Sequence, residues 1–187
     1  REIINCPVKT PGDIKNIKVL NPLKGSLGQQ LVCLDLLRKQ FDKRTPILQT
    51  IFSPLSQAKN LIGRNNLPIY IRKHPDLLHS LLRTITETTI EFIAACRKLQ
   101  IDGVFYAVQH GSYSLLSLDE FQIFQKYYDL QILDETKSLW LNMVHIHGEN
   151  IMFDKFIDYP TKILNWHDRH SETSLSNGLS LFPGIVC

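Results

Sequence analysis

Apolar positions along this chain fall into two spacings that alternate with each other. Short, nearly continuous apolar runs occur at residues 46–52 (PILQTIF), 101–109 (IDGVFYAVQ), 139–147 (LWLNMVHIH) and 161–167 (TKILNWH), and a further run begins in SLFPGIVC at the end. Runs of this length, bounded by polar or turn residues, predict strands buried on both faces. Between them the apolar residues recur at three- and four-residue steps, which predicts helices. Leu27, Leu31, Leu34 and Leu37 place one helix from Ser26 to about Phe41. Ser53-Pro54 ends the first strand and opens a second helix, SPLSQAKNLIG, with Ser53 as its cap and Gly63 as its stop. A long helix starts at His74-Pro75-Asp76 and runs to about Leu99, burying Leu78, Leu81, Leu82, Ile85, Phe92, Ile93, Cys96 and Leu99, with Thr88 and Thr89 inward for one turn. Ser117-Leu118-Asp119-Glu120 has the form of a capping box and opens a helix over FQIFQKYY. Residues 1–25 are broken by Pro7, Pro11, Gly12, Pro22 and Gly25, with one short helix in TPGDIKNI.

Strand and helix therefore alternate, and parallel strands joined by right-handed crossovers follow. The choice lies between a (β/α)8 barrel and an open doubly wound sheet. Composition agrees with one packed domain: 187 residues, 43% of them hydrophobic, supply one sizeable core. The net charge of +3 is small and its basic residues are dispersed, which argues against a nucleic-acid partner. No apolar run approaches the roughly 20 residues of a membrane helix, and the start lacks the order of a secretory signal. Cys6, Cys33, Cys96 and Cys187 are scattered, with no CxxC pair, as expected of reduced thiols in a cytoplasmic protein. Cys33 and Cys96 fall within helical apolar patterns and are expected in the core. No GxGxxG or GxxxxGK[ST] follows any strand, so no dinucleotide or P-loop site is expected.

The polar residues are concentrated where the predicted strands end. Ser53 and Gln57 follow the first strand, Gln109 and His110 the second, His145, His147 and Asn150 the third, and His167, Asp168 and Arg169 the fourth. In a barrel all of these converge on the face where active sites lie. His145 and His147 are two apart and share a strand face, which suits a transition-metal pair; hydrogen bonding to backbone, water or a substrate carboxylate is the alternative. His167 and Asp168 are candidates for acid–base work, with Arg169 as an anion clamp or the partner of a structural ion pair. Gln109 reads a substrate edge or satisfies a loop backbone group. Ser53 is a helix cap rather than a nucleophile.

FSPLSQAKNLIG, IDGVFYAVQHGSYSLLSLDEF, NMVHIHGENI, DYPTKILNWHDR and FPGIVC, in that order and spacing, resemble successive strand-turn blocks of the uroporphyrinogen decarboxylase family. The resemblance covers most of residues 10–187 and implies an incomplete (β/α)8 TIM barrel, a single domain over 1–187 with its first and last strands missing. It also implies a choice of chemistry. As a decarboxylase of porphyrin biosynthesis, the intact protein would convert a tetrapyrrole polycarboxylate, uroporphyrinogen, to coproporphyrinogen without a cofactor. The family's tyrosine and serine positions would then fall on Asn60 and on Gln109 or Ser112. As a relative of the corrinoid-dependent methyltransferases, it would bind zinc, with VHIHG standing for their H-x-C block and His147 in the cysteine's place, and would work with a corrinoid protein. A non-enzymatic ligand-binding relative is the third reading. The resemblance is compatible with a homodimer of the intact protein.

Overall fold

The computed structural model describes residues 6–187. Strands β1 (Leu48–Phe52), β2 (Gly103–Val108), β3 (Met143–Ile146), β4 (Ile163–Trp166) and β5 (Ile185–Val186) form one sheet in chain order. Each neighbouring pair is parallel. An order that advances by one strand each time, without turning back, is that of a barrel wall; a doubly wound sheet reverses at a switch point. Helix α1 (Gly25–Gln40) precedes β1, and the helices between the strands are α2 (Pro54–Ile62), α3 (Leu67–Lys73), α4 (Pro75–Lys98), α5 (residues 118–134) and α6 (Leu175–Leu181). Within α5, a turn at Leu118–Glu120 leads into a π-helical stretch, Phe121–Lys126, before the last segment, Tyr127–Asp134.

Local sequence explains most of these boundaries. Ser53 Oγ accepts from the Ser56 amide at 3.4 Å, Pro54 occupies the first position of α2, and Gly63 stops it at φ +90°. The capping box of α5 is present, with Ser117 Oγ accepting from Glu120 N at 3.1 Å and the Glu120 carboxylate accepting from Ser117 N at 2.9 Å. The first residue of β2, Gly103, has to be glycine, because a Cβ there would lie 1.7 Å from the Leu141 carbonyl oxygen.

The two faces of the sheet differ. Val104, Tyr106, Val108, Val144, Ile146, Leu164 and Trp166 point to one face and are buried there, where the core side chains of α2, α4 and α5 pack, including Leu55, Leu78, Leu82, Ile93 and Phe121. Burying each large apolar side chain stabilises the fold by roughly 1.5–3 kcal/mol, so this layer holds the sheet. On the other face Phe52, Ile185 and Cys187 are exposed, and Phe105, Met143, His145 and Asn165 are half-buried.

One polar cluster lies inside the sealed layer. Asp129 of α5 is fully buried and accepts from Tyr106 Oη at 2.6 Å, Tyr159 Oη at 2.9 Å and Gln125 Nε2 at 2.7 Å. Burial raises its carboxyl pKa to about 7, against the opposing pull of those three donors.

Four expectations are corrected. Cys33 is exposed, although Cys96 is buried, because α1 buries only Leu31 and Leu34 and turns its Val32–Cys33 edge outward. The third strand starts at Met143 rather than Leu139: buried Asn142 donates to the Thr136 carbonyl (2.8 Å) and accepts from Val104 N (3.2 Å), which holds the preceding residues as a loop. The last apolar run divides between α6 and a strand of only Ile185–Val186. Helix α3, which buries Leu67, Tyr70 and Ile71, was not anticipated; its two turns carry only one i, i+3, i+4 set, and its start signals, Asn66 at the cap position and Pro68 in the first turn, read equally as a turn.

Candidate functional site

The open face of the sheet is built in rows. The register pairs Phe52 with Ala107, Ala107 with His145 and His145 with Asn165, so these side chains lie across one level of the sheet. Two residues further along each chain, Gln109, His147 and His167 project from the same face at the carboxyl ends of β2, β3 and β4. The backbone keeps that alignment past the strand end, since His147 N donates to the Val108 carbonyl at 2.9 Å. Gly148 then turns the chain away at φ +107°.

Three imidazoles meet there. The ring centroids of His145 and His147 are 5.9 Å apart, and His167 lies 5.3 Å from each. One nitrogen of each ring can be chosen so that all three lie within 4.8 Å of one another. Around a tetrahedral ion with Zn–N bonds of about 2.0–2.1 Å, two ligand nitrogens are ~3.3 Å apart. The observed spacing is wider than that, and His147 and His167, which would have to close it, are exposed. The donor set fits a borderline-soft divalent cation such as zinc and leaves a position open to a further ligand.

His145 is the anchored member. Its Nδ1 is 2.5 Å from Asn165 Oδ1, and the Asn165 amide is oriented in turn by donating from Nδ2 to the Cys187 carbonyl at 2.8 Å. Because Asn165 presents its oxygen, His145 Nδ1 carries the proton and Nε2 keeps its lone pair. Phe105 stacks on the ring at 5.3 Å. Burial is the largest influence on the His145 pKa and lowers it; the hydrogen bond to Asn165 pulls it upward by less, and His167 and His147 add smaller downward pushes, so the net shift is downward. The neutral, metal-binding form is thereby favoured.

Beside this cluster a cavity of about 510 Å³ is lined by Lys59, Arg64, Gln109, His110, His147 and the apolar side chains of α3 and the β2 loop. Lys59 Nζ donates to Gln109 Oε1 at 3.4 Å. His110 is buried below it, and burial, with Lys59 and Arg64 nearby, pushes its pKa down to about 4.

The residues singled out in the sequence divide by position. His145, His147 and His167 converge, so His167 lies with the other two histidines rather than apart with Asp168. Gln109 lines the adjoining cavity. Asn60 is not brought to it: this residue lines a separate groove between α2, α4 and Leu20, and its neighbour Lys59 is the side chain of α2 that faces the site. Asp168 and Arg169 pair with each other at 3.6 Å, with Arg169 90% exposed, and neither hydrogen bonds to the histidines. Ser112 is structural, donating to the Glu149 carbonyl at 2.7 Å and pairing with Ile151 to bind the β2 and β3 loops together. Cys187 lies on the His145–Asn165 level, with its Sγ 3.5 Å from Asn165 Nδ2, and is not one of the clustered donors. Lys59 and Arg64 were missed. Lys59 lies within α2 and Arg64 just past its Gly63 stop, and the one signal for them was their place in the segment that follows β1, on the side where a barrel puts its ligand loops.

The family model described as uroporphyrinogen decarboxylase (URO-D) matches residues 3–173. Among solved structures, a methyltransferase from Methanosarcina mazei superposes with a TM-score of 0.82 at 20% sequence identity, covering 97% of this chain and 54% of its own. This chain therefore spans about half the length of that relative. A comparison with curated protein sequences found no match.

Proposed function

Since the chain belongs to the uroporphyrinogen decarboxylase family, we propose that it supplies the metal-binding wall of a zinc-dependent methyltransferase that works with a corrinoid protein. The observation that carries this reading is the convergence of His145, His147 and His167, with one nitrogen of each within 4.8 Å of the others. These three residues would hold the ion. Zinc bound there supplies a positive centre that favours the thiolate form of an acceptor thiol at neutral pH.

The chain's own residues set the conditions for that chemistry. Asn165 fixes the His145 tautomer, and the stacked Phe105 ring limits its rotation. Three neutral imidazoles leave the full ionic charge in place, whereas a thiolate in the position of His147 would offset part of it. This ligand set therefore acidifies a bound thiol more strongly than a sulfur-rich one. His147 and His167 are exposed on the open face, so a thiol and a methyl donor can approach from that side.

A second reading, decarboxylation of uroporphyrinogen to coproporphyrinogen, is favoured by the basic cavity beside the cluster, which suits a polycarboxylate. One set of measurements separates the two. The intact protein, purified without chelator, is assayed for zinc beside the His145→Ala/His147→Ala and His167→Ala variants, then for methyl transfer from methylcobalamin to a small thiol. About one zinc per chain, lost in the variants, with zinc-dependent thiol methylation, is expected. A protein that takes up no zinc on titration, yet converts the acetate side chains of uroporphyrinogen to methyls, would replace this reading with the decarboxylase. Tight tetrapyrrole binding without turnover would point to a binding protein instead.

A further inference from the structure

The cavity next to the histidines carries a second, separate chemistry. Lys59 projects into it from α2 and Arg64 from the loop after Gly63. No acidic side chain lines it among the described residues. Lys59 is half-buried, and its only hydrogen-bond partner among the described residues is the neutral Gln109 amide, at 3.4 Å. Elsewhere in the described chain, partly buried cations have acidic partners: Arg38 pairs with Asp102 at 3.3 Å and Lys126 with Asp158 at 2.8 Å. A half-buried cation facing a second cation and no carboxylate raises the local potential, which an anion entering the cavity would relieve.

The rest of the lining agrees. Leu67, Ile71 and Leu116 are buried and form an apolar wall, while His147 belongs both to this lining and to the metal cluster. A ligand whose charged end rests on the cations would lay an apolar body against that wall and bring its other end to the histidines.

We propose that Lys59 and Arg64 form an oxyanion subsite that anchors a carboxylate, sulfonate or phosphate group on the substrate, with Gln109 positioning Lys59. The subsite rests on the reading of the histidine cluster as the reacting centre, since it fixes the distance between the substrate's charged end and that centre. Burial of Lys59, and the Arg64 charge near it, lower the lysine's pKa, and an anion on the pair reverses that shift.

The test is binding by the intact protein at constant ionic strength, using propionate, methanesulfonate and methyl phosphate as probes and tetramethylammonium as the cationic control. Saturable binding of at least one anion is expected, with amide shifts confined to Gln109, His147 and their neighbours. Its affinity should fall at least tenfold in Lys59→Gln and in Arg64→Gln and be retained in Lys59→Arg. Arg64 is exposed, so its variant tests the subsite even if a change at Lys59 disturbs α2. Zinc content is measured in the same samples. Anion binding lost in the Lys59 and Arg64 variants with zinc content unchanged supports the subsite. Equal anion responses in wild type and variants, or shifts spread over the surface, would overturn it, and zinc loss in the histidine variants alone would leave the metal reading intact without the subsite.

Discussion

Two polar clusters lie on opposite sides of the same sheet, and they use their hydrogen-bonding capacity in opposite ways. Behind β2, Asp129 is sealed from water, and its oxygens accept from Tyr106, Tyr159 and Gln125. In front of β3 and β4, only His145 of the three histidines is held by another side chain, through Asn165, while His147 and His167 face the open side. A cluster whose carboxylate is satisfied by its own neighbours, and whose one unpartnered atom among the described residues, Gln125 Oε1, is sealed from water, does structural work, because it offers nothing that a ligand can reach. A cluster that keeps lone pairs turned to solvent, on strand ends that packing holds in place, is suited to binding.

The contrast can be broken most sharply by truncating both sides. Asp129→Ala leaves two tyrosine hydroxyls and an amide without their acceptor in a dry layer, and a loss of about 4 kcal/mol in urea unfolding is expected. His167→Ala, on the open face, should change stability by less than about 1 kcal/mol. Comparable losses in the two variants would erase the distinction.

A pH titration of stability sharpens it further through His110, which lies buried beneath the basic cavity. Its folded pKa of about 4 is below the unfolded value near 6.5, so the unfolded chain binds the proton first as pH falls. The stabilising contribution is therefore complete above about pH 6.5, declines between 6.5 and 4, and then levels, for a total of about 3 kcal/mol. Asp129 has the opposite sign: its folded pKa of about 7 lies above the unfolded carboxylate value, so its contribution is complete at low pH and is lost as pH rises through 7. Urea unfolding across pH 4–8 in His110→Gln and Asp129→Asn should remove the two opposed slopes one at a time. An unchanged acid slope in His110→Gln would exclude a buried neutral imidazole at that position.

The smallest effect concerns how His145 is held. Asn165→Ala removes the acceptor that fixes its tautomer and should weaken zinc binding by 10- to 100-fold in a chelator competition, about 1.4–2.7 kcal/mol, with little change in the fold. Affinity equal to wild type would mean that the ring needs no such support.

By itself the sequence determined the alternation of strands and helices, the caps at Ser53 and Ser117 and the face shared by His145 and His147. These follow from short-range rules: the period of two in a strand, 3.6 in a helix, and the orphan amides at a helix start. Even there, burial was legible only where the apolar stripe was regular, and Cys33 sits on the outer edge of a helix whose buried stripe is narrow. Tertiary structure decided the rest. His167 joins His145 and His147 because the β3–β4 register sets Asn165 opposite His145, a relation between residues 20 apart that no local pattern encodes. Lys59 rather than Asn60 faces the site because packing fixes the rotation of α2, and one residue's step around a helix is about 100°, enough to move a side chain from a cavity to a separate groove.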